Sequence, residues 1–123
     1  MTKVVFYKSS DCFWSFEESG HSGLARRGKD ILCASISAMS MLVINAVQEV
    51  YKSKIDYEIY EDKERKIRVI ARGALPEHES DEKKRYAISG LFEAYYRQLM
   101  LLTDEFPKNL EVSLVEMSAD DTN

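Results

Sequence analysis

Eighteen consecutive residues, Ile31 to Gln48, carry no charged side chain in a chain that is 31% charged overall. A run this long and apolar cannot lie fully exposed in water, and its length approaches that of a membrane span. Ser35, Ser37, Ser40, Asn45 and Gln48 interrupt it, and amphipathic segments follow. The run therefore reads as a buried helix of a water-soluble fold, with no membrane partner. Asp30 stands where an N-cap would, so the helix is expected from Ile31 to about Lys52. It is apolar on nearly every side and needs cover on more than one face. Ala34, Ser35, Ser37, Ala38 and Ser40 are small enough to let another backbone approach.

The flanking segments read as strands and a second helix. Thr2–Lys8 and Phe13–Glu18 are rich in valine and aromatics, and the turn-formers Ser9, Ser10 and Asp11 between them make a β-hairpin. Residues 54–60 alternate Ile55, Tyr57 and Ile59 with polar positions, and 66–72 returns as a strand after a charged turn. Pro76 punctuates a loop over 73–79, and Ser80 is placed to cap a second helix running to about Thr103. Ile88, Leu91, Phe92, Tyr95, Leu99 and Leu102 form its apolar face, and 110–117 alternates as a last strand. The order ββαββαβ predicts an α+β two-layer sandwich, a mainly antiparallel sheet with two helices packed on it. At 123 residues this is a single domain over 1–117, with residues 118–123 (SADDTN) expected as a disordered tail.

A net charge of −4 with no basic stripe argues against direct binding of nucleic acid. Two cysteines are too few for a disulfide framework, and no export leader is recognisable at the N-terminus, so a cytoplasmic protein with reduced thiols is expected. Four Cys and His residues without a close ligand pair give no metal site, and no cofactor fingerprint is found.

The chemistry concentrates in GHSGLARRGKDILC, residues 20–33. With Asp30 as cap, Cys33 would occupy the first helical turn, where unpaired backbone N–H groups and the helix dipole stabilise a thiolate and could hold an oxyanion. Arg26, Arg27 and Lys29 add positive charge nearby. His21 is the matching general base and acid, and Gly20, Gly23 and Gly28 form a flexible loop able to carry it to Cys33 when substrate binds. Each residue also has a plainer reading: a buried cysteine is a small core residue, and a loop histidine is a surface residue. Cys12 reads as a strand or turn residue, and His78 as solvated loop.

GHSG at 20–23 together with GKDILCASIS at 28–37 resembles the paired signature of the ribosomal-processing cysteine protease family, Prp. That signature is a Gly-His followed by a small residue, then a Gly-containing loop, then Gly-x-Asp-Ile-Val-Cys-Ala-Ala-Val-Ser. Ser22, Leu32, Ser35 and Ile36 are mild departures from it. The resemblance implies Cys33 as nucleophile, His21 as base and acid, and supporting roles for Asp30 and Ser37. It further implies a homodimeric endopeptidase without cofactor that removes the N-terminal extension of a large-subunit ribosomal protein, after an aromatic residue. Two other functions fit the same residues: a non-catalytic ribosome-associated binding module, and a thiol redox protein using Cys33 with Cys12. The absence of a CxxC pair counts against the second.

Overall fold

A computed structural model of the chain describes residues 1–20, 26–61 and 65–118, with 26–30, 61 and 65 described in backbone only. The expected element order is found. Strands β1 (Thr2–Ser9) and β2 (Cys12–Gly20) form the hairpin, helix α1 (Arg26–Asn45) follows, and β3 (Asp56–Glu61) and β4 (Arg65–Ile70) form a second hairpin. Helix α2 (Glu82–Glu105) and strand β5 (Leu110–Glu116) complete the chain. The sheet runs β3-β4-β2-β1-β5. Every pairing is antiparallel except that of β1 with β5, which is parallel because α2 carries the chain back across the sheet.

Both helices cover the same face. Val4, Phe6, Phe16 and Val69 point into it and are fully buried, beside Ile88, Phe92 and Leu99 of α2 and Leu32, Ile36, Val43 and Ile44 of α1. Phe16 packs edge-on against Tyr95 at 5.2 Å and tilts against Phe92 at 5.5 Å. A bulge breaks strict alternation in β2: Tyr7 pairs with Ser15 but Lys8 with Phe13, leaving Trp14 as the extra residue. The bulge turns Phe13 toward α2 as well, where its ring meets Tyr96 at 5.6 Å. The opposite sheet face is charged, with Glu17 of β2 holding Lys66 at 3.1 Å across to β4.

Three local expectations need correction. Helix α1 begins at Arg26, not Ile31, so Asp30 is a residue of its second turn and not its cap. Arg26, Arg27 and Lys29 are good helix formers, and they carry the helix through Gly28 although a glycine there costs about 1 kcal/mol. Gly28 therefore belongs to the helix and not to a flexible loop. At its far end α1 runs on as one wide π-type turn, Ala46–Val50, before Lys52 leaves it with a positive φ of 50°. Helix α2 is capped by Asp81, not Ser80: the Asp81 carboxylate accepts from the backbone N–H of Lys83 at 3.0 Å and of Lys84 at 3.4 Å. Among the described residues, the single chain covers α1 on one side. Ile31 and Leu42 are each 66% exposed on its outer face, with Met41 beside them. The tail beyond Ser118 lies outside the described residues.

Candidate functional site

Cys33 is the eighth residue of α1, two turns inside the helix. Its backbone N–H is past the four unpaired donors of the first turn, and the dipole's influence fades over that same turn. The expected thiolate-stabilising helix terminus, with its ready-made oxyanion donors, is therefore not what surrounds Cys33. What surrounds it is a cavity. The half-buried thiol shares a pocket of about 90 Å³ with Thr2, Glu18, Gly20, Ile36 and Ser37.

Each wall of that pocket follows from local structure. Ile36 and Ser37 lie three and four residues beyond Cys33, so helical spacing puts them on its side of α1. Ser37, expected in a supporting role, is thus brought to the thiol. Gly20 ends β2 with φ of 82°, a left-handed conformation that β-carbon-bearing residues adopt at a cost. Thr2 opens β1 and is 6% exposed; its N–H donates to the Asn109 carbonyl at 2.9 Å just before β5. The pocket therefore sits at the end of the sheet where β1 and β5 begin and β2 ends, beneath α1.

His21 and Gly23 lie outside the described residues, as does the closing motion expected of their loop, and Asp30 is described in backbone only. Gly20, the residue that precedes His21 in the sequence, lines the Cys33 pocket.

Glu18 is the pocket residue that motif reading missed. It is 7% exposed on the helix-covered face, in the same alternation as Phe16. Its carboxylate oxygen Oε1 accepts from Ser40 Oγ of α1 at 2.6 Å and from the Tyr95 hydroxyl of α2. Burial, followed by the charge of Glu18 and the hydrogen bond to it, pushes the Tyr95 hydroxyl well above its ordinary range. The only signal in the sequence was parity: in FWSFEE the second glutamate falls on the inward side of a strand.

Cys12 starts β2 at the opposite end from Gly20, so the nine-residue strand separates the two thiols and they form no redox pair. It lines a wide groove of about 730 Å³ between the β1–β2 turn and α2, with Arg85, Tyr86 and Ser89. Burial, then Asp11 and Glu77, push the Cys12 thiol up against the opposing pull of Arg85. That is the setting of a quiet cysteine. His78 is exposed in the loop before α2.

Comparison with known proteins gives a consistent result. The family model described as "Cysteine protease Prp" matches residues 1–111. Among solved structures, the Streptococcus mutans protein SMU.848 superposes with a TM-score of 0.77 at 24% identity, over 95% of this chain and 96% of its own. The ribosomal processing protease Prp of Staphylococcus aureus, in complex with a covalently linked product peptide, gives a TM-score of 0.72 at 16% identity. That match covers 94% of this chain and all of the other; the same protease with a substrate peptide gives 0.71. No curated protein matches.

Proposed function

We propose a function from one established premise: this chain belongs to the cysteine protease Prp family and is a cysteine-type endopeptidase. Cys33 is its nucleophile, and the substrate is the N-terminal extension of a large-subunit ribosomal protein, removed during ribosome maturation in the cytoplasm. The observation that carries this reading is the thiol itself, half-buried at a pocket walled by the ends of β1 and β2, with Ser37 one helical turn on. Support for the peptide substrate comes from the Staphylococcus aureus protease, whose structures hold a substrate peptide and a covalently linked product peptide.

In the proposed reaction His21 takes the Cys33 proton, the thiolate sulfur attacks the scissile carbonyl carbon, and the C–N bond breaks as His21 returns the proton to the leaving amine. Water then hydrolyses the resulting thioester, with the same imidazole as base. Asp30 and Ser37 support the pair, and Gly20 leads directly into His21. Because Cys33 stands two turns inside α1, the oxyanion is held by donors other than the helix terminus. The exposed outer face of α1, with Ile31, Met41 and Leu42, supports a homodimer.

The test uses purified protein and a peptide spanning the extension junction, with an aromatic residue before the cleaved bond. Cys33→Ala and Cys33→Ser should lose cleavage entirely, and His21→Ala should bind the peptide while its turnover falls by about a hundredfold or more. A Cys33→Ala variant that cleaves at the wild-type rate overturns the assignment.

A further inference from the structure

Glu18 is a costly residue in its place. It interrupts the buried stripe Val4, Phe6, Phe16 of the sheet, where a leucine would fill the space with no polar group to desolvate. Its partners come from both helices: Ser40 from α1 at 2.6 Å and Tyr95 from α2, with the Tyr95 hydroxyl also 2.8 Å from Ser40 Oγ and 3.3 Å from the Ile36 carbonyl. Ser40 lies seven residues beyond Cys33, two helical turns along the same side of α1, and Ile36 lies between them. This knot therefore fastens the stretch of α1 that carries the thiol to β2 and α2. The carboxylate also lines the pocket that Cys33 lines.

Building on the reading of Cys33 as nucleophile, we propose that Glu18 is a positioning residue of the protease site. Its carboxylate locks α1 against the sheet through Ser40 and Tyr95, and so holds the stretch of helix that carries the Cys33 thiol. Among the described residues, Tyr95 from α2 hydrogen-bonds that carboxylate, and Cys33 from α1 lines the same pocket. The neighbouring strands present Val4 and Ile67 as the residues paired with Glu18.

Three variants test the role. Ser40→Ala takes away the α1 partner of the carboxylate, and Glu18→Leu fills the same space without an acceptor, whereas Glu18→Gln keeps an acceptor for Ser40 and Tyr95. Ser40→Ala and Glu18→Leu are each expected to lower kcat on the junction peptide by about tenfold with KM little changed, and Glu18→Gln to lose less than either. Wild-type kcat in Ser40→Ala or in Glu18→Leu overturns the positioning role, and so does a Glu18→Gln loss as large as that of Glu18→Leu. A failure of the nucleophile assignment shows separately, as a cleaving Cys33→Ser.

Discussion

Gly20 joins the sheet to the segment that contains His21, and it does so in a conformation with φ of 82°. A side chain at that position meets its own backbone, so Gly20→Ala should lower stability by about 1–2 kcal/mol, read as a fall in the urea midpoint at unchanged slope. The sequence suggested glycines here for mobility; the structure gives Gly20 a fixed angle and places Gly28 inside a helix. Cys33 and Ser37 were singled out through the motif run at 28–37, and helical spacing brings both to one pocket. Glu18 was not, because a glutamate in a strand ordinarily marks the wet face, and only the packing of two helices reveals that this one points inward.

At the scale of elements, spacing and punctuation located every strand and both long helices to within a few residues, and failed where two local signals competed. Asp30 has the chemistry of a cap, yet the basic residues before it extend α1 by more than a turn. The bulge at Trp14 is invisible to a period-two reading, which would have put Phe13 and Phe16 on opposite faces. The cap of α2 is directly testable: Asp81→Ala removes the acceptor for two backbone N–H groups and should cost about 1 kcal/mol in thermal or urea unfolding. The packing of α2 has a pH signature. The Tyr95 hydroxyl is harder to ionise when folded than when unfolded, so the folded state holds its proton after the unfolded state has lost it. The stability this represents is fully present below the unfolded tyrosine value near 10 and is lost as pH rises above it. Urea midpoints should fall from pH 9 to pH 11 in the wild type, and fall less steeply in Tyr95→Phe.

On the scale of the whole molecule, one face of the helix carrying Cys33 is built into the core while the other remains apolar and exposed. The 18-residue uncharged run correctly announced a helix needing cover, but a single chain supplies that cover on one side alone. If a second copy completes it, as proposed above, sedimentation at rising concentration should show a dimer, and Leu42→Lys should hold the protein as a monomer with its far-UV spectrum unchanged. A Leu42→Lys protein that sediments like the wild type would place the contact elsewhere.

The hydrogen bond from Thr2 to Asn109 has a consequence for timing. The second residue of the chain walls the Cys33 pocket, but it is fixed there by a carbonyl near the other terminus and by the parallel strand that follows it. During synthesis β1, β2 and α1 all emerge long before Asn109, so the thiol exists well ahead of its finished surroundings. A growing chain stalled before β5 carries Cys33 on an incomplete sheet. Completion of the pocket thus waits on β5: the strand furthest along the described chain fixes β1, whose Thr2 walls the thiol.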